Sequence, residues 1–580
     1  MSTSYTRLFR ILFVIIFLKL LFLLGLYFRS YDVSTRLQRR PVVVSQVDIF
    51  DEILLDRRKS PSWEQQLKWI REEMPSFPLE ELKQREKHHQ TVKCGPAPDL
   101  MNIDFHNTYW QKAVNQNLTY YLFGAYFDDR ETVPEAPLVR LLTMVNQHLD
   151  KKFKYPQIYC QLWFEGKADP LIVNVTEHRV MWPFGHAPRR VYPTFLSCPL
   201  PGNSSLEEKV PQMVSLVGQK CDRARNLLRV VYEPAEEEVV KVKAQATGNG
   251  TNFSSSTEST SSSAEQPTKD PRFIVCVKAM DFPYKDKSWR LIEWLELMRL
   301  LGASKVWLYD AQMHPNMTRV LKDYPGFVEV RAMSLGRGEP HARPHFHHYT
   351  MAADGFNRIL NEMIPYNDCF YRNMYKYDYV GVFDTDEVIM PLGNTTDWKQ
   401  LVKLARHVPD YGGVTSPKCT EWVSFCFRNV YYPRYPERPK VYRNLSSSFY
   451  MLQHVERVRE HCNRGAATKC LHDTRFAVGL HNHFTFFHTE NAACGAKSVP
   501  IEFAQMQHYR EPDTKSLLID PIIDASIWRF QPQLQSRIEE KYRRLGFLPN
   551  EQQLADSMER RRRNDELQLK EAVGQQGGSG

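Results

Sequence analysis

Residues 272–391 carry the pattern that most restricts the fold. RFIVCVKAM (272–280) reads as an apolar strand, SWRLIEWLELMRLLGA (288–303) spaces its apolar residues as a helix does before Gly302 ends it, and KVWLYD (305–310) is a second strand. FVEVRAM (327–333) is a third strand, TMAADGFNRILNEM (350–363) a helix, and DYVGVFDTDEVIMP (378–391) a strand that breaks into acidic residues. This β-α-β-β-α-β order predicts an α/β domain on a largely parallel sheet. In such sheets ligands bind beyond the carboxyl ends of the strands. Asp310 and the cluster from Asp384 to Glu387 both fall there.

The rest of the chain frames that domain. With 580 residues, 42% hydrophobic and 25% charged, the protein is neither disordered overall nor a polytopic membrane protein. Its net charge of +9 is too thin and scattered for a nucleic-acid-binding surface, and its one dense basic block, Arg560 to Arg563, reads as a solvated helix face. Ile11 to Phe28 is apolar for 18 residues except Lys19 and Gly25, long enough to span a bilayer. Leu26, Tyr27, Phe28 and Arg29 close the run where a cleavage site would need small residues, so an uncleaved anchor is expected. Arg29, Arg36, Arg39 and Arg40 outnumber Arg7 and Arg10, which by charge alone would leave the long C-terminal part in the cytosol.

Two features override that count. N-x-S/T sequons stand at Asn117, Asn174, Asn203, Asn249, Asn252, Asn316, Asn394 and Asn444. All 11 cysteines lie from Cys94 onward, as an oxidising compartment would favour, and the odd count leaves one for a possible disulfide-linked homodimer. Cys419 with Cys426, and Cys462 with Cys470, are near enough in sequence for local bridges. A zinc site at Cys462, Cys470 and His472 lacks a C-x-x-C element. The expected organisation is a cytoplasmic tail (1–10), a transmembrane anchor (11–28), a helix-prone stem (29–92), a β-rich, sandwich-like domain (93–245), a Ser/Thr-rich linker (246–270), the α/β domain (271–548) and a polar tail (549–580). Tyr120, Tyr121, Tyr126 and Trp163 of the β-rich part read as core rather than as sugar platforms.

Asp384, Asp386 and Glu387 crowd three carboxylates onto one strand-end loop, and like charges that close call for a cation. Oxygen ligands on a short loop suit Mg²⁺ or Mn²⁺, which keep positions open for phosphate oxygens.

Several motifs then match one family in order: WLELMRLLGASKVWLYD (294–310), NDCFYRNMYKYDYVGVFDTDEVIMP (367–391), FRNVYYP (427–433), the block from Lys469 to His483, and HYR (508–510). On these the segment 272–510 resembles glycosyltransferase family 92, type II Golgi proteins with a GT-A nucleotide-sugar fold. The resemblance implies inverting transfer of galactose from UDP-galactose to a glycan acceptor, for example an N-glycan, with a divalent metal such as Mn²⁺. It implies Asp384 and Asp386 as the D-x-D carboxylates and a histidine as third ligand, His481 first and His508 second. Lys278 and Asp310, at the ends of the first two strands, would face the nucleotide.

Inversion needs a general base, usually a carboxylate. Glu421, beside Trp422, is the tentative choice and Asp473 its rival. His341, His345, His347 and His348 are too irregularly spaced for a second metal site and read as loop or acceptor-side surface. Two other readings remain: a non-catalytic glycan-binding Golgi protein, and a haloacid-dehalogenase-like phosphatase, since Asp384-Thr385-Asp386-Glu387-Val388 fits its D-x-D-x-V motif and Asp520 and Asp524 mimic its later acidic pair.

Overall fold

The computed structural model describes Lys19 and residues 61–87, 92–148, 155–182, 190–201, 210–234, 270–336, 344–409, 420–434, 445, 448–489, 493–547, 559 and 563. All of the expected anchor but Lys19, all of the linker but Asp270, almost all of the polar tail and four of the eight sequons lie outside these residues. Among the described residues no helix is long and apolar enough to cross a membrane.

Two helices open the described chain, α1 (Trp63–Glu73) and α2 (Leu79–Lys87). Ten strands follow: β1 (Phe105–Asn107), β2 (Trp110–Asn115), β3 (Leu118–Asp128), β4 (Leu138–Val145), β5 (Tyr159–Trp163), β6 (Leu171–Asn174), β7 (Glu177–Val180), β8 (Tyr192–Pro199), β9 (Met213–Val217) and β10 (Leu228–Val231). They join along one hydrogen-bonded path, β6-β5-β9-β10-β3-β4-β8-β7, with β2 beside β3 and β1 beside β2. The expected sandwich is therefore one continuous sheet. Residues from its two halves, among them Tyr120, Leu141, Leu162 and Leu216, share one apolar cluster. Tyr120, Tyr126 and Trp163 are fully buried.

The second sheet is built from β11 (Phe273–Phe282), β12 (Ala303–Met313), β13 (Val328–Ala332), β14 (Tyr379–Val382), β16 (Trp422–Phe427), β19 (Lys469–Asp473) and β22 (Cys494–Ser498). Its order is β13-β12-β11-β14-β19-β16-β22, and only β19 runs against its neighbours. Helix α3 (Ser288–Leu300) joins β11 to β12, α4 (Pro315–Lys322) joins β12 to β13, and α5 (Pro344–Ala353) with α6 (Gly355–Asn373) precedes β14. The sequence pattern misses α4, whose eight residues offer too few turns for a period to show. His314 caps it by accepting the Asn316 N–H, and Pro315 fills the first turn, where a missing N–H costs nothing.

Around this sheet lie β15 (Glu387–Pro391), helix α7 (Trp398–His407), β17 (Asn429–Tyr431), β18 (Glu456–Arg457), the hairpin β20 (Ala477–Leu480) and β21 (Thr485–His488), then β23 (Ala504–His508), β24 (Ile522–Ile523) and α8 (Gln531–Arg544). β23 lies between β15 and β17, so its last residue, His508, pairs with Glu387 at the start of β15.

The two sheets share a core. Trp110, Phe123, Tyr126, Leu142 and Phe195 of the first pack with Ile274, Tyr309, Val382 and the buried face of α6. Both Asp368 oxygens accept a phenol, from Tyr126 on one side and from Tyr309 (2.5 Å) on the other, while Arg372 donates to the same carboxylate at 2.9 Å. Arg130, fully buried, donates to the carbonyls of Thr474 (2.6 Å) and Ala477 (2.7 Å). Asp128 neutralises that guanidinium at 2.7 Å, so the two carbonyl bonds add charge-assisted hydrogen bonds between the sheets, about 1.5–3 kcal/mol each.

The cysteines pair as Cys94–Cys221, Cys160–Cys198, Cys276–Cys369 and Cys426–Cys470, and Cys494 is disulfide-bonded too. The expected local bridges are therefore not formed, because β16 and β19 are neighbours that set Cys426 opposite Cys470. Cys462 keeps a free thiol, which accepts from the Asn429 amide at 3.3 Å. This also removes the zinc reading, and His472 bonds Thr485 instead, at 2.8 Å.

Candidate active site

Strand β14 is apolar and buried through Phe383, and the chain then turns at Asp384, Thr385 and Asp386 before entering β15. The turn closes on itself, with the Glu387 N–H donating to the Asp384 carbonyl (3.0 Å) and the Asp384 N–H to the Glu387 carboxylate (2.8 Å). This places the acidic residues at the carboxyl end of the parallel strands, where Lys278 and Asp310 also stand.

Two lysines meet these acids, Lys278 half-buried and Lys469 buried. Lys278 of β11 reaches Asp384 Oδ2 at 3.0 Å and Glu362 of α6 at 3.1 Å. Lys469, at the start of β19, reaches Glu387 at 2.9 Å with both side chains almost wholly buried, and it also donates to Asn482. Burial alone would raise the Asp384 carboxyl, but Lys278 and Lys469 hold it well below the usual carboxylate range. Its other oxygen, Oδ1, is buried with no hydrogen-bond partner. Asp386 behaves oppositely, since burial and the adjacent Asp384 charge push its carboxyl up. Glu362 is raised as well, mainly by burial. Four carboxylates thus crowd against two lysines in direct contact, and Lys287 acts on Asp386 from farther off. The site keeps a surplus of negative charge.

Of the two expected histidine ligands, His508 is the one brought to the turn. Its Nε2 lies 3.8 Å from Asp386 Oδ1 and 3.7 Å from Glu387 Oε1, and its ring stacks on Tyr431 at 5.3 Å. His481 sits at the neighbouring hairpin, stacked on Phe484 at 4.3 Å, with Nδ1 accepting the His483 N–H. It connects to the acids only indirectly, through Asn482 and Lys469. Among the described residues no three His, Cys, Asp or Glu side chains gather closely enough to hold an ion by themselves. Asp310 stands three residues before the end of β12 with Oδ1 buried and unpartnered, a carboxyl raised by burial.

Glu421 and Asp473 are not brought to the acidic turn. β16 runs parallel to β14 and β19 against it, so Asp473 pairs with Tyr379 and Glu421 lies just before β16, both at the amino end of the sheet. At about 3.3 Å per residue that is roughly 20 Å from Asp384. Glu421 is held there by Arg475 (2.8 Å) and Arg406 (3.3 Å), and Asp473 by Arg475 (2.8 Å). Of the histidine group, His348 pairs with Asp281 at 2.9 Å, while His341 and the side chains of His345 and His347 lie outside the described residues. Asp520 and Asp524, the acidic pair of the phosphatase reading, are engaged by Arg459 (2.6 Å) and Arg457 (3.0 Å) beside β18 and β24.

The residues that sequence reasoning missed are Glu362, Lys469 and Asn482. Lys469 left no clear signal, because the strand KCLHD that it opens also carries His472 and Asp473.

An α/β domain with helices on both faces of its sheet, and an over-acidic turn at the end of its central strand, defines the class of site. Residues 271–554 match the family model described as Glycosyltransferase family 92. The chain belongs to that family, and is by class a glycosyltransferase. No curated protein matches it.

Proposed function

We propose that the protein transfers galactose from UDP-galactose to a glycan acceptor with inversion, giving a β linkage, and that it does so with Mn²⁺ or Mg²⁺ as a Golgi single-pass type II membrane protein. The observation that carries this reading is the surplus of carboxylate at Asp384, Asp386 and Glu387 in a family 92 domain. The GT-A reading is supported by a mostly parallel sheet with this turn at the carboxyl end of its central strand.

The residues present fit a divalent cation. Asp384 offers an unpartnered oxygen, Asp386 a half-buried carboxylate and His508 an imidazole nitrogen 3.8 Å from it. These donors leave coordination positions for phosphate oxygens and water, as the hard cations prefer. When bound, such a cation stabilises negative charge developing on a diphosphate leaving group.

The chain's own groups do the positioning. Lys278 fixes Asp384 through Oδ2 and so aims Oδ1 away, and Lys469 with the Asp384 N–H fixes Glu387. In the displacement an acceptor hydroxyl attacks the anomeric carbon, the bond to the diphosphate breaks on the opposite face, and the hydroxyl proton passes to a base.

The test is a donor-hydrolysis screen of the purified full chain with each UDP-sugar, in Mn²⁺ or in EDTA. Metal-dependent UDP release from UDP-galactose alone, lost in Asp386→Ala, is the expected result. Absence of both release and metal-dependent UDP binding would sink the proposal in favour of a glycan-binding protein.

A further inference from the structure

We infer that a basic cleft beside the acidic turn receives the acceptor, and that this acceptor is a carbohydrate carrying an anionic group such as a carboxylate or sulfate. The inference rests on the transferase reading above.

The cleft has a volume of about 400 Å³ and is walled by Trp289, Arg290, Arg434, Tyr450 and His454. Two hydrogen bonds tie it to the turn: the Tyr450 hydroxyl donates to the Tyr509 carbonyl (2.7 Å), and the Tyr509 N–H to the Asp386 carbonyl (2.8 Å). With its hydroxyl committed, Tyr450 presents its ring, and the Arg290 guanidinium lies 3.7 Å from the ring centroid. That stacking holds a guanidinium in place with its N–H edges free.

Burial raises the Tyr450 hydroxyl and lowers the His454 imidazole, and Arg290 and Arg434 act electrostatically on both groups, so both cations face this one space. Both guanidiniums are exposed to solvent, and neither forms an ion pair with a carboxylate among the described residues. The nearby Glu511 is taken by the Arg434 backbone N–H at 3.1 Å. His454 is neutral, held down to about 4 by burial, so its Nδ1 donates to the Tyr450 carbonyl and its buried Nε2 is an acceptor without a donor. Two unpaired guanidiniums match a planar oxyanion, and the half-buried aromatic rings of Trp289 and Tyr450 suit a sugar that carries it.

The donor's diphosphate is the rival occupant. Lys287 is the cation that acts on Asp386 and Asp384, whereas the two arginines stand beyond the Tyr450 ring. The cleft is therefore placed for the other substrate.

The experiment titrates the full chain with a galacturonate trisaccharide, with neutral galactotriose, and with UDP plus Mn²⁺. It compares the wild type with Arg434→Gln and with Arg290→Gln/Arg434→Gln. We expect the acidic trisaccharide to bind at least about tenfold tighter than the neutral one, the preference to fall in the single variant and vanish in the double, and UDP affinity to stay within about twofold. Equal binding of the two sugars by the wild type would overturn the inference. So would loss of UDP affinity in the variants, which would put the diphosphate in the cleft. A wild type that binds no UDP while preferring the acidic sugar would break the transferase reading and leave the cleft's ligand standing.

Discussion

The two ends of the catalytic sheet hold carboxylates in opposite ways. At the amino end Glu421 and Asp473 face Arg406 and Arg475, two negative charges against two positive. At the carboxyl end Asp384, Asp386, Glu387 and Glu362 face Lys278 and Lys469. One cluster is neutral, and the other is over-acidic. An aromatic neighbour makes Glu421 look catalytic, but a carboxylate already satisfied by two arginines has little capacity left for a substrate. Function belongs where the chain has left charge uncompensated.

This contrast can be broken most directly at the acidic turn. Asp386→Asn should lower the rate of transfer by about 100-fold or more, the scale seen when a preorganised electrostatic group is removed from a transition state. Glu421→Gln should change it by less than about twofold, since it lies roughly 20 Å away. Steady-state kinetics on the two variants side by side decides between the ends, and equal losses would erase the distinction.

Stability should follow the same divide. Lys469→Met strands Glu387 at 3% side-chain exposure, and should destabilise the fold by about 3–5 kcal/mol. Arg406→Met removes a guanidinium that is 34% exposed from a carboxylate that is 37% exposed, and should cost about 1 kcal/mol or less. Urea unfolding of both reads the difference.

A third carboxylate sharpens the comparison with a smaller effect. Glu293 of α3 is fully buried with no cation in contact, accepts backbone N–H groups of Tyr450 (2.5 Å) and Leu452 (2.9 Å), and is raised from 4.5 to about 7 by burial. Its proton is held more tightly in the folded than in the unfolded chain. Its contribution to stability is therefore present below pH 4.5 and is lost as the pH rises toward about 7. Glu293→Gln should flatten that slope in thermal melts taken across the window, and an unchanged slope would assign the pH dependence to other groups.

How far the site was legible depended on what each residue needed. Asp384 and Asp386 announce themselves because charge seldom follows so apolar a strand, and Lys278 because it interrupts one. Glu362, Lys469 and Asn482 are set beside them only by the fold, across sequence separations that no local pattern spans. Glu421 and Asp473 were misleading because their position turns on strand direction. β19 reverses against β14 and β16, and nothing in the residues themselves shows which end of the sheet they reach. The strands 272–280 and 305–310 and the helix from 288 were readable from periodicity, whereas α4, opened by Pro315, resembles a turn.

The shared core has a consequence for proteolysis. Severing the chain anywhere within 246–269 would leave two pieces that no disulfide among the described residues links, because Cys94–Cys221 and Cys160–Cys198 lie on one side of the cut and Cys276–Cys369 and Cys426–Cys470 on the other. They would still travel together, fastened by Tyr126 on Asp368, by Arg130 on the carbonyls of Thr474 and Ala477, and by the Trp110 indole on the Ser334 carbonyl. Nicked protein would show two bands on a denaturing gel yet elute as a single particle from a sizing column, so intactness has to be judged under denaturing conditions.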